Sequence, residues 1–263
     1  MARSQSFGYF EDIPQSKWHL LRKRVHKIRM KQQKEHTKYT DPAKFYQHNY
    51  PAEFTCPHEE RIGGTKGSGG KWLCNPRNIA IASADRVQNR GNACLVYTSS
   101  ANLNEFQFER ELLDTIGPCE IHVFHPNDID QTASIPPTGV QYHPWGFKPS
   151  SNADIHDPQL KTIQETVKEL GHEGYTIDLL SLDCQGCEFD IYRDLLMDHE
   201  IYAPVFMQLL IQVHGAPAGA SGFFRALQEN GYVTFHKSPS AEGTGKEQDY
   251  GFLKLSQDFF VSV

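Results

Sequence analysis

The sequence predicts an α/β fold, a mostly parallel sheet with helices packed on both of its faces. Three observations carry that reading. From residue 92 onward, short apolar runs alternate with stretches of helical periodicity. The most apolar of these runs, Val205 to His214, is nearly continuous, as expected of a strand covered on both sides. The chain then closes on two further strand-like runs, Tyr232–Lys237 and Tyr250–Ser256. Strands separated by helices are joined by right-handed crossovers, which makes most of the sheet parallel.

Residues 15–37 read as a helix, with Trp18, Leu21, Val25 and Ile28 on one stripe and Lys/Arg on the other faces. Residues 38–72 read as a connector punctuated by Pro and Gly. Ala93–Thr98 is the first strand of the alternating region, followed by a polar loop and a helix over 105–115. Cys119–Phe124 is a strand ended by His125-Pro126, and Gly139–His143 a short one. A helix over 158–171 carries Leu160, Ile163, Val167 and Leu170 and stops at Gly171. Ile177–Asp183 is a strand, 187–197 a helix, and Ser221–Asn230 a helix stopped by Gly231. The domain division expected is a basic arm (1–50), a connector and lid with a Gly-rich loop (51–90), and the α/β body (91–263).

Composition narrows the function classes. At 263 residues, 38% hydrophobic and 22% charged, the chain is neither disordered nor a disulfide-dense mini-protein. No run reaches the ~18–20 apolar residues of a membrane helix, and no signal-peptide core follows Met1, so the chain as given is expected to be soluble. The net charge of −6 is divided. The first 50 residues carry eleven Lys/Arg and four acids, the remaining 213 carry 15 and 28. An acidic body repels phosphates, so sequence-specific nucleic-acid binding is not expected. The basic helix either packs one stripe on the body or lies on an anionic membrane surface or an acidic protein.

Six cysteines are too sparse for a disulfide framework in a chain this long. Cys94 and Cys119 lie in apolar runs and read as buried thiols. Cys56 and Cys74 flank the Gly-rich loop and would close it in an oxidising compartment. Cys184 and Cys187 have C-x-x-C spacing, but no second pair completes a zinc site. The Gly63–Lys71 stretch resembles a phosphate loop in composition only, since Trp72 stands where Ser or Thr would follow the lysine.

In an open α/β sheet the ligand lies outside the carboxyl ends of the strands. The first such end gives Thr98, Ser99, Ser100 and Asn102, whose polar groups lead into a helix start able to receive an anion. The second gives His125, an acceptor for a single ribose hydroxyl bond. The third gives Trp145, either a stacking platform for a purine or a packing anchor. The fourth gives Asp183, Cys184 and Glu188, where a helix-capping role is the alternative. The fifth gives His214, on the same side of its strand as Gln212 and a candidate general base. Asp183 and Glu188 with two amides form too thin an oxygen shell for a divalent cation, so no metal site is assigned.

An ordered set of segments resembles a known family. Arg61-Ile62-Gly63-Gly64, Gly70–Cys74, CLVY with Phe106–Glu109, CEIHVFHP, YHPWGFKP, IDLLSLDCQGCE, LLIQVHG and YGFLKL are similar to methyltransferase-like proteins of the secretory type, relatives of the FkbM methyltransferases. The resemblance covers about residues 54–260. It implies a Rossmann-like fold with a seven-stranded sheet and S-adenosyl-L-methionine (SAM) as methyl donor. It also implies O-methylation of a glycan or small-molecule acceptor, a secretory location and a membrane anchor that this chain lacks. On it, Thr98, Ser99, Ser100, Asn102, Glu109, His125 and Trp145 would flank the donor, and Asp183, Glu188 and His214 the acceptor.

The departures define a second reading. The first loop lacks the family's glycine, and His125, Gln185 and Gln212 stand where the family pattern has carboxylates. Loss of the ribose carboxylate would cost about 1.5–3 kcal/mol, one to two decades in SAM affinity. A pseudo-methyltransferase serving as a binding or structural subunit is therefore the alternative expectation.

Overall fold

The computed structural model describes residues 10, 13–34, 38–64, 69–90, 94–99, 106–126, 135–152, 157–196, 204–215, 219–240 and 246–260. Its elements in chain order are α1 (Gln15–Lys34), α2 (Pro42–His48), β1 (Glu59–Ile62), β2 (Lys71–Cys74), α3 (Pro76–Arg90), β3 (Cys94–Ser99), α4 (Gln107–Ile116), β4 (Cys119–Phe124), β5 (Val140–His143), β6 (Gly146–Phe147), β7 (Leu160–Lys161), α5 (Ile163–Glu169), β8 (Thr176–Leu182), α6 (Glu188–Leu195), β9 (Val205–His214), α7 (Ala220–Glu229), β10 (Tyr232–Pro239) and β11 (Glu247–Lys254).

Seven strands form the central sheet in the order β10-β11-β9-β8-β3-β4-β5. The run β9-β8-β3-β4-β5 is parallel, and β11 is antiparallel to both β9 and β10. From β3 the chain first builds outward through β4 and β5, then returns to add β8 on the other side of β3. The switch in strand order therefore falls between β3 and β8, and the crevice it opens lies at their carboxyl ends.

Alternate side chains of these strands feed two cores. On one face Val96, Ile121, Val123, Leu179 and Leu210 pack with α4 (Leu112, Ile116), with Leu73 of β2 and with the stripe Trp18, Leu21 and Val25 of α1. On the other, Leu95, Tyr97, Leu180, Leu209 and Phe252 pack with α2, α5, α6 and α7. All six residues of β3 are buried, as a strand covered on both faces requires. The basic helix is also tied by charge, through an ion pair of Arg29 with buried Glu53 at 2.6 Å and a bond from Arg29 to the Tyr232 carbonyl at 2.5 Å.

Buried Gln208 explains how a polar residue sits in the middle of the most apolar strand. Its amide oxygen accepts from the Cys74 N–H at 3.0 Å and its Nε2 donates to the Cys74 carbonyl at 2.7 Å. Both backbone groups of the last residue of β2 are thereby satisfied, and the β1–β2 hairpin is docked on β9.

Three expectations are corrected. Cys94 and Cys119 are not thiols but a disulfide, since they are register partners on the parallel strands β3 and β4, with Cα atoms 4.5 Å apart. The helix expected over 158–171 begins only at Ile163. Leu160 and Lys161 pair with β6, and Thr162 then caps α5 in a reciprocal box with Glu165. The first helix is described over Gln15–Lys34, and residues 35–37 of the expected span lie outside the described residues. The stretch expected as connector contains α2 and the β1–β2 hairpin, and α3 follows it. Cys56 and Cys74 are joined, as an oxidising compartment would allow, and Cys184–Cys187 is a third disulfide.

Candidate functional site

The carboxyl ends of β3, β8 and β9 converge on one crevice. Asp183, one residue past β8, donates its backbone N–H to the Ser99 carbonyl at 2.8 Å, which holds the ends of β3 and β8 level. His214 is the last residue of β9. Its Nε2 lies 3.6 Å from Asp183 Oδ1. Glu188 opens α6 and is fully buried. Its Oε1 accepts from the His214 backbone N–H at 2.7 Å and from His214 Nδ1 at 3.1 Å, and its Oε2 from the Gly186 N–H at 2.9 Å. A carboxylate only accepts, so this contact places the proton on Nδ1 and leaves the Nε2 lone pair facing Asp183 and the crevice.

Gln212 completes the floor. Oriented to satisfy its neighbours, its amide nitrogen donates to both Asp183 oxygens at 3.1 and 2.7 Å, and its oxygen accepts from Ser240 Oγ at 2.5 Å. A glutamate at this position would set a second negative charge against Asp183, so the glutamine is suited to an ionised Asp183. Lys71 of β2 and Asp249 of β11 close the same side, paired at 3.5 Å, with Asp249 opposite Gln212 in the β9–β11 register.

These surroundings set the charges. Burial pushes the Asp183 carboxyl above its ordinary range; Lys71 and His214 oppose the shift, and Asp249 and Glu188 add to it. For His214, burial favours the neutral ring, but the Glu188 hydrogen bond and the charges of Glu188, Asp183 and Glu247 outweigh it. The net shift is upward.

The donor-side residues are placed more loosely. Buried Thr98 of β3 donates its hydroxyl to Glu109 Oε1 of α4 at 2.8 Å. Burial raises the Glu109 carboxyl and the Thr98 bond moderates it. Ser99 ends β3 beside them, while Ser100 and Asn102 lie outside the described residues. His125 follows β4, with its N–H on the His143 carbonyl at 3.1 Å and its own carbonyl accepting from Tyr142 at 3.1 Å. Trp145 is a packing anchor in this structure. It is buried against His143 and Phe124, its indole N–H donates to Thr166 at 3.3 Å, and the Lys161 ammonium sits 3.6 Å from the ring centroid. Stacking on a purine would require Lys161 to move aside.

The structure thus brings Asp183, Glu188 and His214 into contact, and sets Thr98, Ser99 and Glu109 at the neighbouring strand end. Sequence reading missed Lys71, Asp249 and the positioning role of Gln212. Lys71 was visible only as the end of a Gly-rich loop, and the position of Asp249 depends on an antiparallel register that no local pattern encodes. Among the described residues, Glu120, His122 and His172 are the group spaced to hold a metal ion, the first two on β4 and the third in the turn before β8.

A family model described as a methyltransferase domain matches residues 1–254. No curated protein matches. Among solved structures, the chain is similar to a 1,6-didemethyltoxoflavin-N1-methyltransferase from Burkholderia thailandensis, solved with 1,6-didemethyltoxoflavin and S-adenosylhomocysteine bound. The TM-score is 0.35 and the identity 9%, over 69% of this chain and 78% of that one.

Proposed function

The chain belongs to the methyltransferase-domain family, and from that premise we propose that it is a SAM-dependent O-methyltransferase acting on a hydroxyl of a glycan or small molecule. The observation that carries the reading is the Asp183–His214–Glu188 cluster, set at the carboxyl end of β8 and β9 beside the switch in strand order.

The residues present fit the donor. A sulfonium cation bearing ribose hydroxyls and an amino-acid end calls for hydroxyls, carboxylates and a strand-end crevice. Thr98, Ser99, buried Glu109 and Asp183 supply those types at the β3–β8 switch. His125 stands where a ribose contact is expected and offers a single acceptor in its neutral form. Bound there, SAM supplies an electrophilic methyl group.

The chain's own residues do the rest. Glu188 fixes the His214 ring and its tautomer, so that Nε2 faces the acceptor as general base. When Nε2 takes the hydroxyl proton, the imidazolium lies between Glu188 and Asp183, both of which stabilise it. Gln212 holds Asp183 through both oxygens, which keeps its carboxylate aimed at the same point. Alignment of acceptor and donor supplies most of the acceleration. The three disulfides support an oxidising compartment and so a secretory route.

The test is methyl transfer from labelled SAM to panels of glycans and small hydroxyl compounds. Wild type is expected to yield methyl ethers and His214→Ala to lose the activity while still binding SAM. No SAM binding at millimolar concentration would overturn the proposal in favour of a pseudo-enzyme.

A further inference from the structure

We propose that Glu120, His122 and His172 form a zinc site on the face of the central sheet, separate from the strand-end crevice. Glu120 and His122 are two apart on β4 and share a face, and His172 enters from the turn between α5 and β8. Glu120 Oε1 lies 3.1 Å from His122 Nε2 and 3.7 Å from His172 Nε2, and the three ligand atoms all lie within 4.8 Å of one another. A tetrahedral zinc ion with bonds of about 2.0–2.1 Å separates its ligands by about 3.3 Å. The two Glu120 distances bracket that value.

The atoms behind the three ligands are arranged as metal sites require. His172 Nδ1 is bonded to the Tyr97 hydroxyl at 2.7 Å, and His122 Nδ1 to His143 Nε2 at 2.8 Å. Each imidazole is thus held through Nδ1 while its Nε2 turns toward Glu120, the outer-shell arrangement that orients zinc-binding histidines. The His122 and His172 rings meet edge to face, with centroids 5.0 Å apart. Gln141 Nε2 reaches Glu120 Oε1 at 3.4 Å. Both imidazoles are buried, whereas the Glu120 side chain is 43% exposed and stands at the rim. That exposure gives an ion an entry path and leaves room for water as the fourth ligand.

Two imidazoles and one carboxylate match zinc better than magnesium or calcium, which call for all-oxygen shells. Along β4, Glu120 lies five residues and His122 three residues before His125, about 16 and 10 Å at ~3.3 Å per residue. The site's effect is to cross-link β4 to the turn that feeds β8, the strand that leads into Asp183.

Without a cation the same atoms form a hydrogen-bonded chain, and the experiment separates the two. Untagged full-length protein is stripped with a chelator and titrated with zinc against a chromophoric competitor. One submicromolar zinc per chain is expected. Glu120→Gln, at the exposed rim and neutral to the metal-free fold by thermal melt, is expected to weaken it at least about 100-fold, and Tyr97→Phe about 10–100-fold. Cobalt loading should give tetrahedral absorption in wild type that Glu120→Gln lacks. Failure of wild type to bind zinc more tightly than micromolar, or unchanged affinity in both Glu120→Gln and His172→Ala, would overturn the assignment.

Discussion

One oxygen of Glu188 holds His214 twice, at 2.7 Å from its backbone N–H and at 3.1 Å from Nδ1. Because Glu188 is fully buried at the start of α6, the end of β9 and the ring it carries are fixed to a helix. The orientation of the proposed base is therefore a property of the fold.

Glu188→Gln tests that relationship. The His214 ring titrates above its ordinary value partly because of Glu188, and a base must be neutral to act. The rate should rise with pH as His214 loses its proton. In the variant this limb should move to lower pH, with kcat reduced about 10–100-fold through lost orientation. A pH–rate profile that stays in place would dissociate Glu188 from the base.

His125→Asp should strengthen SAM binding. A carboxylate there can accept two ribose hydroxyl bonds where neutral His125 accepts one. The charge-assisted gain of about 1.5–3 kcal/mol corresponds to one to two decades in Kd. Calorimetry reads the change directly, and an unaltered Kd would move the ribose elsewhere.

Glu109 links burial to pH-dependent stability. Its folded pKa is raised by burial, so the folded state binds this proton more tightly than the unfolded chain. The contribution is present at low pH and is lost as pH rises through the folded pKa. Above the unfolded pKa, keeping this carboxyl buried therefore costs the fold stability. Glu109→Gln should raise Tm at pH 7 and flatten the melting profile across the acidic range; a lower Tm would show that the charge is stabilised by its surroundings.

Gln208→Leu should be costly although it makes the strand more apolar. The Cys74 N–H and carbonyl would both lose their partner in a buried setting, at about 1–3 kcal/mol each. Denaturant unfolding checks the loss, and a change below about 0.5 kcal/mol would mean that water or another group takes over.

Non-reducing peptide maps should yield exactly three linkages, Cys56–Cys74, Cys94–Cys119 and Cys184–Cys187. Removing Cys56–Cys74, which closes a loop of about 18 residues, should cost about 3 kcal/mol. A free thiol at any of these positions would contradict the pairing.

The strands of the sheet were legible because apolar runs such as Cys119–Phe124 and Val205–His214 are local signals, and both are strands over those spans. Asp183, Glu188 and His214 were legible because each follows such a run or opens the next helix. The rest depended on pairing across the chain. Cys94 and Cys119 look like apolar fillers until β3 and β4 lie side by side. Glu59–Ile62 alternates too weakly to announce a strand and becomes one only against Lys71–Cys74. Glu120, His122 and His172 sit in two unremarkable segments, and only the sheet and the turn after α5 bring them together.

Hydrogen–deuterium exchange with saturating S-adenosylhomocysteine tests the central claim most directly, that the crevice at the β3–β8 switch is the donor site of a methyltransferase. Protection is expected in peptides covering 94–109, 119–126 and 183–188, with α1 (Gln15–Lys34) unchanged. Protection confined to other segments, or none at millimolar ligand, would contradict it.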